Sequence, residues 1–154
     1  MRIITVILTF LLSSITVAED ISIRFGKLEI AEKVGPTSYR FALVEETNKV
    51  PLLTLKQGGI YGIEYSAPEN HKYTIQVKAI IPPNVKETDG DLLSTKRESD
   101  RTVMVFKLRN HQGTVVEPFL FSNGDPEGQY TIEVILNGTL FKTITYQAYV
   151  PVAH

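Results

Sequence analysis

Three histidines, His71, His111 and His154, are the first residues to test for chemistry. His71 closes Pro68-Glu69-Asn70-His71 and His111 sits in Asn110-His111-Gln112-Gly113. Both stretches read as turns, and His154 is the last residue given. No two of the three stand at metal-ligand spacing. A nucleophilic triad needs a histidine beside a serine and an acid. Neither the order of residues nor a nucleophile-elbow motif points to one. Asp89-Gly90-Asp91 offers two carboxylates to a cation, but a calcium loop supplies roughly six to eight oxygens and the rest of that motif is missing. An acidic turn accounts for it. Lys96-Arg97-Glu98-Ser99-Asp100-Arg101 mixes both signs in one short run and reads as solvated chain rather than an anion site. Asn137-Gly138-Thr139 matches a glycosylation acceptor, and a hairpin turn explains it without a sugar. An enzyme reading would be one such as a hydrolase using Asp89, Asp91 or Glu64.

Composition narrows the chemistry further. The 154 residues include no Cys, which removes disulfides, thiol nucleophiles, thiolate metal sites and a lipoprotein anchor. Lys+Arg 16 against Asp+Glu 17 leaves no electrostatic footprint for nucleic acid. No cofactor is expected. With 43% hydrophobic and 21% charged residues, the chain has enough apolar material for one ordinary core.

The elements that must carry any site follow a period of two. Tyr73, Ile75, Val77, Ala79 and Ile81 face one way; Tyr130, Ile132, Val134 and Leu136 repeat the pattern. Tyr39, Phe41 and Leu43 alternate with Ser38, Arg40 and Ala42, as Tyr61, Ile63 and Tyr65 do with Gly62 and Glu64. Met104, Phe106 and Leu108 share one face while Val103 and Val105 make the other apolar too, which suggests a central strand covered on both sides. Turn residues separate these runs. The breaks predict about nine strands, at roughly 21–34, 38–44, 52–56, 60–66, 72–81, 101–109, 115–121, 129–136 and 139–150. The first changes phase at Gly26, which calls for a bulge or bend. The fold expected is an all-β, immunoglobulin-like antiparallel β-sandwich of about 7–9 strands.

Two local devices can be built in detail. Asn137-Gly138 suits a two-residue type I′ turn, which needs positive φ at both centres. Carried on without a break, that register sets Val134 opposite Phe141, Ile132 opposite Thr143, Glu133 opposite Lys142 and Ile135 opposite Leu140. Upstream, Asp125-Pro126-Glu127-Gly128-Gln129-Tyr130 delivers a tyrosine to a strand start, the pattern of a tyrosine corner. Pro82-Pro83 removes two backbone donors and ends a strand. The stretch from Pro82 to Asp100 then reads as a long connection for a compact sandwich, with Leu92-Leu93 in its middle. Function, if carried by a loop, is expected there, with Asp89, Asp91, Leu92, Leu93, Lys96 and Arg97 as the candidate binding residues.

Met1-Arg2, the apolar run Ile3 to Leu12 and the small residues of Thr16-Val17-Ala18 have the layout of a secretory signal. Residues 1–18 are therefore expected to be removed and 19–154 to form a single domain. The run falls short of the roughly 20 residues that span a bilayer, so no membrane span is expected after cleavage. Loss of Arg2 leaves 15 basic against 17 acidic residues. The compartment expected is periplasmic or secreted.

Leu55-Lys56-Gln57-Gly58-Gly59-Ile60-Tyr61-Gly62-Ile63-Glu64-Tyr65, Ile81-Pro82-Pro83, and the hairpin from Pro126 through Asn137-Gly138 carry a further signal. Over about residues 21 to 150 the chain resembles an uncharacterised bacterial secreted family, domain of unknown function thirty-eight fifty-nine. The resemblance implies a sandwich fold and an exported location, and it implies no activity. The reading is a non-catalytic exported domain that meets a protein partner in the periplasm through the 82–100 loop. A small-ligand or carbohydrate-binding module is the alternative, since the Trp-free chain holds seven Tyr and seven Phe.

Overall fold

A computed structural model describes residues 20–57, 59–85, 91–119, 121 and 124–152. The signal segment 1–18, residues 86–90 with Asp89, and His154 lie outside the described residues. The strands are β1 (Ser22–Lys33), β2 (Tyr39–Glu46), β3 (Lys49–Pro51), β4 (Tyr61–Ser66), β5 (Lys72–Ile81), β6 (Leu92–Arg97), β7 (Thr102–Phe106), β8 (Arg109–Gln112), β9 (Val115–Phe119), β10 (Gly128–Leu136) and β11 (Thr139–Tyr149). One 3-10 turn, Leu55–Gln57, is the sole helical piece among the described residues. Two sheets face each other, one ordered β2-β1-β4-β9 and the other β3-β11-β10-β5-β7-β6, with β8 also beside β5. This is the expected immunoglobulin-like sandwich, with more strands than expected and one parallel pair, β3 with β11.

Period-two alternation builds the core as read from the sequence. Ile23, Phe25, Ile63, Tyr65, Tyr73, Ile75, Val77, Ile132, Val134 and Leu136 all point between the sheets and are buried. Each such side chain contributes about 1.5–3 kcal/mol. Phe25 stacks on Tyr146 at 4.6 Å between centroids, and Tyr146 on Tyr130 at 5.2 Å. The tyrosine corner is present: the Tyr130 hydroxyl donates to the Pro126 carbonyl at 2.8 Å. Burial pushes that phenol above its ordinary range. Tyr130→Phe is expected to lower stability by about 0.5–1.5 kcal/mol, the net worth of one hydrogen bond. An unchanged midpoint in urea unfolding would show that the bond contributes nothing.

Gly26 is where β1 changes partner. Ser22 to Lys27 pair with β4, whereas Gly26 to Lys33 pair with β2, with a register shift between Lys27 and Leu28. A Cβ on Gly26 would lie 1.9 Å from the Glu45 carbonyl oxygen. Beyond this point the apolar phase turns to the outside of the four-stranded sheet. Leu28 is buried at 1% exposure yet stands apart from the core cluster, with its Cδ1 2.8 Å from where a Cβ on Gly62 would be. Tyr39, Phe41 and Leu43 therefore do not join the core: Tyr39 is exposed and the other two are half-buried.

Four further expectations are corrected. First, the strand read at 52–56 lies instead at Lys49–Pro51, where Val50 is fully buried opposite Ala148. Gln147 N–H donates to the Asn48 carbonyl and Leu52 N–H to that of Tyr149, so the short strand is clamped at both ends. Pro51 is tolerated because this strand is an edge.

Second, the strand read at 101–109 is two. Both β7 and β8 run along β5, and the Gln76 side-chain amide donates to the Phe106 carbonyl at the break between them. Met104 is buried, but Leu108 is 52% exposed, and β7 lies next to the sheet edge with Val103 and Val105 only half-buried.

Third, the Asn137-Gly138 turn has the expected positive φ values, 48° and 83°. Yet a bulge between Val134 and Ile135 shifts the β10–β11 register after the pairs Leu136–Thr139 and Ile135–Leu140. Val134 faces Lys142, Glu133 faces Thr143 and Ile132 faces Ile144. The unbroken register would turn Thr143 and Thr145 into the core; the bulge brings in Ile144, Tyr146 and Ala148 instead. Glu133 consequently pairs with Lys78 across β5, at 2.9 Å.

Fourth, residues 82–100 are not one loop. β5 does end before Pro82-Pro83, but Leu92–Arg97 is a strand paired with β7.

Candidate functional site

The candidate binding residues lie on and before β6, the last strand of the larger sheet. Asp91 is exposed, and its carbonyl accepts from the Lys107 N–H. Leu92 faces Phe106 and packs partly against the core. Leu93 falls in a register shift between Leu92 and Ser94 and is 62% exposed. Lys96 and Arg97 are exposed on the strand's second half. The mixed-charge run folds on itself. Glu98 accepts from Arg101 Nε at 2.6 Å and lies 2.8 Å from Lys96 Nζ, while its N–H donates to the Arg101 carbonyl. Hydrogen bonding from Lys96 and then Arg101 holds the Glu98 carboxyl down to about 2. These charges close the β6–β7 turn and neutralise each other, which agrees with a solvated segment.

A second cluster was missed by sequence reasoning. On β9, Glu117 occupies the same face as Val115 and Phe119, so the strand aims a carboxylate between the sheets. It is 8% exposed. From the opposite sheet, β8 supplies Arg109, whose Nη2 donates to Glu117 Oε2 at 2.7 Å. His111, next but one on the same strand, brings its Nε2 to 3.0 Å from Glu117 Oε1. That approach is close without the alignment of a hydrogen bond. The imidazole stacks on Tyr65 at 5.8 Å and lies 5.7 Å from the ring of Tyr73. Burial, then the Glu117 charge, raises both phenols: Tyr73 is pushed up to about 12 and Tyr65 higher still. The Tyr73 hydroxyl donates to the Gly113 carbonyl at 2.8 Å. The Tyr65 hydroxyl, Arg109 Nε and His111 Nε2 are buried without a hydrogen-bond partner.

The chemistry available here is that of an inter-sheet tie. Both phenols stay protonated, and the single carboxylate is neutralised by a guanidinium. His111 reaches an open groove of about 500 Å³ shared with Lys72, Tyr73, Thr74, Asn110, Gln112 and Asn137. His111 was read as a turn histidine, but β8 makes it a strand residue whose side chain is 13% exposed. The signal that could have found the cluster is an acid on the apolar phase of Val115-Val116-Glu117-Pro118-Phe119. The other sequence candidates fall elsewhere. Glu64 is held by Arg24 at 2.5 Å, and His71 lies in the turn before β5. Asn137 and Gly138 shape the hairpin, with Asn137 Oδ1 also accepting from the Thr74 N–H at 2.9 Å. No group of three His, Asp or Glu side chains suited to a metal ion exists among the described residues. Exposed tyrosines Tyr39 and Tyr149 sit on different elements, and the stacked rings are inside the core.

No curated protein matches the chain. A family model described as the PM0630 beta sandwich domain matches residues 33–149, from the end of β1 to the end of β11. The match takes in both sheets, the tyrosine corner and the Glu117 tie. The chain belongs to the PM0630 beta sandwich domain family.

Proposed function

We propose that this β-sandwich is an exported, non-catalytic interaction domain that holds an extended segment of a partner protein along β6. The observation that carries the reading is the β6 edge itself. β6 pairs with β7 on one side and ends the sheet on the other, with Leu93 exposed and Asp91, Lys96 and Arg97 around it. An open edge offers backbone donors and acceptors to an added strand, and side chains beside it select the sequence. The secretory layout of residues 1–18 supports export. So does the likeness of Leu55 to Tyr65 and Ile81-Pro82-Pro83 to the secreted domain of unknown function thirty-eight fifty-nine. The mutually neutralised Glu117–Arg109 pair supports a non-catalytic reading.

A photo-crosslinking residue placed at Leu93 in the intact chain, in its own cell envelope, is expected to give one discrete adduct. The same residue at Leu140, 56% exposed on the far side of the sheet, is expected to give none. No adduct at position 93, or equal adducts at both positions, would overturn the proposal.

A further inference from the structure

The geometry points to self-association: two copies of this chain pair through the outer edge of β2, antiparallel and related by a two-fold axis. Among the described residues, β2 ends the smaller sheet and pairs with β1 alone. Around it gather exposed apolar side chains that the sandwich does not use. Ile30 is 50% exposed, Val34 51%, Tyr39 44% and Val44 49%. The occupant is specified by charge order along the strand. Its sequence, Tyr39-Arg40-Phe41-Ala42-Leu43-Val44-Glu45-Glu46, is basic near one end, apolar in the middle and acidic at the other. Such a strand is complementary to its own reverse. With the axis through Ala42 and Val44 left out of the ladder, each Arg40 comes opposite the other copy's Glu45, twice over, while Phe41 meets Leu43. A closed two-fold interface of this kind uses one patch on both partners.

The bulge in β2 makes this pairing feasible. Arg40 stands opposite Glu32, Ala42 opposite Glu29 and Glu45 opposite Lys27. Lys27 and Glu29 share a face of β1, so Ala42 and Glu45 share a face of β2, and strand alternation adds Arg40 to it. Residues that meet across an antiparallel pair must lie on one face. Without the extra residue Val44, Glu45 would fall on the Phe41 face. Arg40 also has an intrachain partner, Glu32 at 2.8 Å, with both side chains more than half exposed. A guanidinium can serve two carboxylates through its separate N–H groups.

The test is the mass of the mature chain by sedimentation velocity over a micromolar dilution series. A two-copy mass is expected at the upper end. Arg40→Glu sets like charges opposite one another and is expected to weaken the dimer at least tenfold. The double reversal Glu45→Arg with Glu46→Arg is expected to do the same. Combining all three reverses both partners and is expected to restore the dimer. Arg40→Glu with Glu32→Arg keeps an intrachain pair and is expected to stay monomeric. Leu93→Lys on β6 is expected to leave the dimer intact, which separates this edge from the one assigned to a partner protein. A monomeric wild-type chain at every concentration overturns the inference. So does a dimer indifferent to Arg40→Glu, or one abolished by Leu93→Lys.

Discussion

Replacing Gly26 with alanine is expected to destabilise the domain by about 3 kcal/mol, the upper range for forcing atoms into a packed site. The added methyl would meet Glu45 O at 1.9 Å, Glu45 C at 2.8 Å and Glu46 Cα at 2.9 Å. All three are backbone atoms, so no side chain can swing aside. Relief requires β2 to move away from β1, which breaks the pairing that carries the hairpin over Gly62. Gly35 is the internal control. A Cβ there finds only the Ser38 side chain, at 3.5 Å, an ordinary contact. Gly35→Ala is expected to be neutral or to stabilise by up to about 1 kcal/mol through the unfolded state. Chemical denaturation of the two variants side by side decides the matter. Equal midpoints would mean that β1 and β2 do not approach this closely.

The second large effect is expected at Glu117. Removing one partner of a buried ion pair costs about 3–5 kcal/mol, because the other charge is left without compensation. Arg109 is 32% exposed, so water softens the loss, and Glu117→Ala is expected to cost about 2–3 kcal/mol. Replacing both partners with apolar residues of similar volume, Glu117→Leu with Arg109→Met, is expected to recover most of that loss. Urea unfolding of the single and double variants is the measurement. A Glu117→Ala midpoint equal to that of the wild type would show that the pair does not tie the sheets. A double variant no better than the single would assign the loss to packing.

Legibility in the sequence follows the range of the interactions. The Asn137-Gly138 turn, the Tyr130 corner and the phase change at Gly26 are set by residues close to one another in the chain, and all three were readable. So was the inward set of β5 and β10, because one covered face imposes strict alternation. β6 was not readable. Lys96 and Arg97 disguise a strand that exists because β7 offers it a ladder, and edge strands admit charge. The β10–β11 bulge was hidden for a related reason. The turn imposes one register and the core imposes the other, and only the facing sheet shows which prevails along Thr143 to Ala148. Glu117 has a visible anomaly in its own strand, but its partners Arg109 and His111 arrive from the other sheet. Their strand was itself concealed in a stretch that reads as a turn.

The parallel pairing of β3 with β11 has a consequence for the order of assembly. Val50 and Ala148 are both fully buried and face each other, yet they are separated by roughly a hundred residues, a contact whose chain-closure entropy slows folding. During synthesis, β3 emerges before β11, and its hydrogen-bonding edge has no native partner until β11 has been made. The β10–β11 hairpin, by contrast, needs only its own turn to begin pairing. That hairpin therefore serves as the template on which the earlier-made β3 edge is laid. A ribosome pausing before β11 leaves a sandwich open along one side.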